Sequence, residues 1–197
     1  MFVVTADQIN SRHSVDAVAE VIEGLSAELG EGLTLPPDRS AGDEVQLLTA
    51  DASTALRALL LLTRTRRFSV GLGVGAVRRP LGNSIRESTG EAFIAARTAV
   101  GRAKGKPSRF AVEGAESAAD VEALVDLLLL LRNRRTEEGW QLYDLRVAGL
   151  TQAEAAKRLA ISPQAASDRA RAADLKAEFA ATAPLARLVA RLGEETS

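Results

Sequence analysis

Between Gly149 and Ser167 the chain reads Gly-Leu-Thr-Gln-Ala-Glu-Ala-Ala-Lys-Arg-Leu-Ala-Ile-Ser-Pro-Gln-Ala-Ala-Ser. Residue types at this spacing suit the reading of DNA base edges. Thr151 is an N-cap, and Glu154 three residues later completes a capping box. Ala155 is small where two helices must approach closely. Leu159 and Ile161 bury a tight corner from either side, Ser162 caps a second helix, and Pro163 takes its first position, where a missing N–H costs nothing. The second helix then opens with small and polar residues that fit a major groove. Gln164 can pair with adenine, and Ser167 with a base or a phosphate. Arg169 and Arg171 are placed for phosphates, as are Lys157 and Arg158 at the end of the preceding helix. Asp168 is the discordant residue: it either accepts from cytosine or orients Arg169. The candidate DNA-contact set is Thr151, Gln152, Lys157, Arg158, Ser162, Pro163, Gln164, Ala165, Ser167, Asp168, Arg169 and Arg171. The alternative reading is a helical hairpin used for protein contacts.

A second set lies near the amino terminus: Asp7, Asn10, Ser11 and Arg12 after an apolar run, Asp43 and Glu44 after Gly42, and Arg97 in a helical stretch. Two neighbouring carboxylates such as Asp7 and Asp43 are what holding Mg²⁺ beside a nucleotide phosphate requires. Structural readings stand beside this one. Asp7 and Arg12 can form an internal ion pair, Gly42-Asp43 can be an ordinary turn, and Gly71, Gly73 and Gly75 can let a helix pack closely on a sheet. Those alternating glycines do not form a phosphate loop, which needs consecutive N–H groups ahead of a helix. The absence of cysteine excludes disulfides, thiolate metal sites and thiol nucleophiles, and a single histidine, His13, leaves no histidine cluster.

The elements that must position these residues follow from periodicity. Strands are expected at Phe2–Thr5, Leu33–Arg39, Val45–Thr49, Phe68–Val77 and Arg109–Glu113, with a hairpin turn at 40–43. Helices are expected at Val15–Leu29, Ala52–Thr65 and Gly90–Ala103. The order predicts an α+β domain with helices on one face of an antiparallel sheet. After Gly114 the pattern is all-helical. Asp120–Arg135 is so rich in leucine that it must be covered on most sides; it is expected to connect the two domains and to form part of a dimer interface. A later stripe, Leu185, Leu188, Val189 and Leu192, suits either subunit pairing or packing within its own domain. The expected division is residues 1–116 and 117–197. Residues 1–131 hold 14 Lys/Arg against 17 Asp/Glu, whereas 132–191 hold 11 against 7, so the basic excess coincides with the DNA-reading motif. The start resembles no secretory signal, and the apolar run Leu127–Leu131 is too short to span a bilayer, so a cytoplasmic protein is expected.

The segment Arg135–Leu175 resembles the helix-turn-helix of MarR-type regulators and the promoter-reading region of sigma factors, with Trp140, Leu142, Tyr143 and Leu145 on the supporting helix. The amino-terminal segments Asp7 to Arg12, Gly42-Asp43-Glu44-Val45-Gln46, the glycine-studded strand and Gly90 to Arg97 are similar to the SatD family, and more distantly to class III nucleotide cyclases and GGDEF domains. That likeness implies a ferredoxin-like βαββαβ domain, a dimer, and a ligand near the subunit interface. Cyclases carry an asparagine four residues before the helical arginine. Phe93 stands there in this chain, and Thr89 and Ile94 replace the acidic residue and histidine common in SatD proteins. The expectation is therefore a non-enzymatic, homodimeric transcriptional regulator of double-stranded DNA. Its candidate effector is a small molecule such as a nucleotide with Mg²⁺. The rival expectation is a nucleotide-processing enzyme.

Overall fold

The computed structural model describes residues 1–11 and 15–196. Within them the chain is mixed α+β. The strands are β1 (Phe2–Gln8), β2 (Leu35–Ala41), β3 (Glu44–Thr49), β4 (Phe68–Val74) and β5 (Phe110–Glu113). The helices are α1 (Val18–Leu29), α2 (Ala52–Arg64), α3 (Glu91–Ala103), α4 (Ala118–Asn133), α5 (Glu137–Val147), α6 (Gln152–Arg158), α7 (Pro163–Ala172) and α8 (Leu175–Glu195). They form two compact units, Met1–Asp126 with Leu185–Ser197, and Leu127–Pro184.

In the first unit one sheet runs in the order β2-β3-β1-β4-β5. β1 pairs antiparallel with both β3 and β4, and β2 antiparallel with β3. The register sets Val3 between Leu48 and Gly73, Thr5 between Gln46 and Gly71, and Asp7 between Glu44 and Ser69. Because strand side chains alternate, these residues share one face. Helix α3 lies on that face almost in backbone contact: a Cβ on Gly73 would sit 2.2 Å from the Ala92 carbonyl oxygen and the Ala96 nitrogen. The buried alanines Ala92, Ala96, Ala99 and Ala103 make the matching surface on the helix. The alternating glycines are thus seats for a helix, as one of their sequence readings held.

The opposite face carries Phe2, Val4, Phe68, Val70 and Leu72, all buried. Gln8 on that face donates to the Val15 carbonyl and accepts from the Ala17 N–H at 2.9 Å, anchoring the start of α1 there. Asp16 takes the Val18 N–H, so the helix begins at Val18 and leaves Val15 exposed, contrary to the expected start. The sheet also departs from the expected antiparallel form with helices on one face. β5 pairs parallel with β4, and α3 occupies the face opposite α1. The cause is the β4–α3–β5 crossover, which returns the chain in the same direction and needs a helix on a sheet face to do so. In the stripe Leu185, Leu188, Val189 and Leu192, Leu188 is half-buried and the others are buried, and Gly193 lies against the Phe2 ring, so it packs in the first unit rather than within residues 117–197.

The second unit is helical. Leu142 of α5, Ala155 of α6, Ala173 and Leu175 form its core, and half-buried Tyr143, Leu145, Leu150, Leu159 and Ala170 pack around it. Beside this core Glu178, 1% exposed, accepts from Arg132 and, at 2.6 Å, from Arg135. Both guanidinium groups also lie over the Trp140 ring, at 4.8 and 4.4 Å from its centre. Two of the cations counted toward the basic excess are therefore buried and paired.

Candidate nucleic-acid interface

The corner between α6 and α7 is built by caps. The Thr151 hydroxyl accepts from the Glu154 N–H, and the Glu154 carboxylate accepts from the Thr151 N–H at 2.7 Å, a complete capping box. The Thr151 hydroxyl and N–H hold the Glu154 carboxyl below the ordinary glutamate range, so the box is charged at neutral pH. The Ser162 hydroxyl accepts from the Ala165 N–H, and Pro163 opens α7. Ala160 makes the turn with φ of 54°, and the Ile161 N–H returns to the Ala156 carbonyl at 3.0 Å. Ala155, Ala156 and Ala166 are buried where the helices meet, which is why these positions carry side chains of one carbon.

The outward side of α7 holds a bonded array. The Asp168 carboxylate accepts from the Gln164 amide at 3.2 and 3.3 Å and from Arg171 at 2.9 Å. Gln164, Asp168 and Arg171 are exposed. Asp168 thus orients Gln164 and Arg171, and no bond joins it to Arg169. Half-buried Arg169 turns toward the start of α5, where it lines a cavity of about 260 Å³ with Thr136, Glu138, Gly139, Ala172 and Ala173. The Glu138 carboxyl there is held low by its own N–H, by the Thr136 hydroxyl and by the field of Arg169. Gln152 at the start of α6 donates to the Ser167 hydroxyl at 2.8 Å, linking the two helices across their exposed side. Thr151, Lys157, Arg158, Ser162 and Pro163 are exposed, and Ala165 and Ser167 are half-buried. Of the candidate DNA-contact side chains, hydrogen bonds join Gln152 to Ser167 and Gln164 and Arg171 to Asp168.

The amino-terminal candidates are brought together only in part. Asp7 lies opposite Glu44 in the β1–β3 register, and the Gln8 N–H bonds the Asp43 carbonyl at 3.1 Å, so the hairpin tip flanks the end of β1. The Asp7 carboxylate accepts from Lys104 at 2.7 Å, a partner that periodicity did not reveal. Glu44 accepts from Ser40 and from Gln46, and Gln46 also donates to Thr5 at 3.2 Å. Polar residues at inward positions of apolar strands, Thr5 and Gln46, were the sequence signal for this buried network. Asn10 sits in a turn with φ of 55°, Ser11 follows it half-buried, and Arg97 is exposed on α3. Arg12 and His13 lie outside the described residues. Among the described residues no group of three or more His, Cys, Asp or Glu side chains is arranged to hold a metal ion. No described helix is long and apolar enough to cross a membrane. The chain matches no known family model, curated protein or solved structure.

Proposed function

We propose that the chain is a DNA-binding transcriptional regulator that works as a homodimer, with α6 and α7 as its helix-turn-helix and α7 in the major groove. One observation carries this reading. The exposed side of α7 presents Gln164, Asp168 and Arg171 already joined by hydrogen bonds, on a helix fixed from behind by buried Ala166 and a capped corner. Side chains held in this way lose little freedom on meeting a base pair. Lys157, Arg158 and Arg171 supply phosphate contacts. The four strands β2-β3-β1-β4, with their antiparallel pairings, support a ferredoxin-like reading of the first unit. That unit is assigned dimerisation and the sensing of a small effector, with Asp7, Asp43 and Glu44 as its candidate polar edge.

The test is selection of duplex DNA from a random pool, followed by anisotropy titrations at several salt concentrations. Affinity is expected to fall with salt by about 0.9 in log–log slope per phosphate neutralised. Arg171→Ala is expected to weaken all duplexes and lower that slope by about one contact, while Gln164→Ala relaxes choice at one base pair by about 1–3 kcal/mol. Failure to enrich any duplex, with the protein folded, overturns the reading.

A further inference from the structure

Helix α4 leaves part of its apolar surface in solvent. Val121, Val125, Leu128 and Leu129 are buried, whereas Leu124 is 44% exposed, Leu127 58% and Leu130 57%. Three large aliphatic side chains at this spacing form one stripe along a helix, and half-buried Leu131 borders it. The stripe is symmetric in sequence about Leu127. Leu124 and Leu130 stand three residues to either side, Ala123 and Leu131 four, and Asp120 and Arg134 seven. Asp120 and, just past the end of α4, Arg134 are exposed, and among the described residues no side-chain partner engages either of them.

We infer that this stripe is an isologous interface with a second copy of the chain, in which two α4 helices pack antiparallel with Leu127 on the two-fold axis. In an isologous contact, where residue i of one copy meets residue j of the other, j of the first also meets i of the second. Antiparallel packing about Leu127 sets Leu124 against Leu130 of the second copy, and Asp120 against its Arg134, twice over. A parallel pair would set Asp120 against Asp120 and Arg134 against Arg134, two like-charge contacts. The charges therefore choose the antiparallel arrangement, and a leucine seam closed by opposite charges at both ends fits this chain better than an unrelated partner. The inference deepens the homodimer reading given above and rests on it only for the existence of a dimer.

Sedimentation equilibrium of the full chain, without DNA, tests it. The wild-type protein is expected to be dimeric at micromolar concentration, and Leu127→Glu monomeric, with unchanged far-ultraviolet circular dichroism because the site is exposed. Asp120→Arg alone is expected to weaken the dimer at least tenfold, and adding Arg134→Asp to restore it. The chain has no cysteine, so a Leu127→Cys variant should form a disulfide-linked dimer on mild oxidation. An Asp120→Cys variant should not, since antiparallel packing separates the two sites by about 21 Å along the helix. A monomeric wild type overturns the inference, as does a dimer indifferent to Leu127→Glu. An Asp120→Cys protein that cross-links as readily as the Leu127→Cys one refutes the antiparallel order. Because no DNA is present, these outcomes are separate from the failure of any duplex to bind.

Discussion

Glu178→Ala in the second unit should be the most damaging single change outside the glycine seats. Glu178 is 1% exposed, and the side chains of its partners Arg132 and Arg135 are 4% and 0% exposed. Removing it takes away the carboxylate that the two buried guanidinium groups share. Breaking a buried pair by deleting one partner costs about 3–5 kcal/mol. The Trp140 and Tyr143 rings remain beside both arginines, and each cation–ring contact returns about 1–2 kcal/mol at most. Those contacts exist in the wild type as well, so they do not offset the loss. A unit of 58 residues has about 3–9 kcal/mol to lose. The variant is thus expected to leave a large fraction of the second unit unfolded at 25 °C. Trp140 is the only tryptophan in the chain and lies in this unit, so its emission reports the unit directly. Urea titration followed by tryptophan emission should show the transition displaced to low urea or lost. Glu178→Gln, which keeps an acceptor but no charge, should fall between. A Glu178→Ala protein within about 0.5 kcal/mol of wild type would refute the claim that the buried charges depend on one another.

Three further outcomes follow from local geometry. Gly73→Ala should abolish soluble folding, because its Cβ would lie 2.2 Å from α3 backbone atoms, whereas Gly101→Ala, with open space around it, should raise stability by about 0.5–1 kcal/mol in thermal melts. Ala160→Gly should stabilise the second unit by up to about 1 kcal/mol, since φ of 54° disfavours any side chain, and urea titration on Trp140 emission reads it. For pH, burial pushes the Glu122 carboxyl up, but Lys106, the Val112 N–H and Arg102 outweigh it and hold the carboxyl below its usual range. Burial likewise pulls the Lys106 ammonium down, and Asp126 and Glu122 outweigh it, raising it. The carboxylate's contribution is present above its unfolded value of about 4.3 and is lost as pH falls through the lower folded value. The ammonium's contribution is present below about 10.4 and is lost as pH rises through the higher folded value. Melting temperature against pH should therefore lose part of its acid slope in Glu122→Gln.

The elements of both units were legible because their periods are clean. β4 alternates glycine with large apolar residues, and α2 is apolar nearly all round and buried nearly all round. The caps at Thr151 and Ser162 were legible for a different reason, since a capping box is local and needs no tertiary knowledge. What stayed hidden is long-range. Sequence order told nothing of which face α3 would choose, or that the α3 crossover would return β5 beside β4 and parallel to it. Lys104 reaches Asp7 from 97 residues away, and Glu178 reaches Arg135 from 43. No spacing rule covers such pairs. The charge count also misled at two positions, because Arg132 and Arg135 look like surface cations in sequence and are core residues in the fold.

That misreading changes how the corner would work under the proposed DNA-reading function. With two arginines withdrawn and Arg169 turned toward α5, the cations left beside α7 are few: Lys157, Arg158 and Arg171. Arg171 is itself held by Asp168. A surface with so little free positive charge has a weak hold on arbitrary phosphate, since non-specific affinity is set largely by the number of phosphates neutralised. Discrimination then rests on the bonded array. In the proposed DNA complex a base pair must offer Gln164, and a phosphate must offer Arg171, a better partner than Asp168, so a wrong sequence leaves the array closed. On the proposed DNA-reading function, the acidic residue on α7, discordant when read alone, trades general affinity for sequence choice.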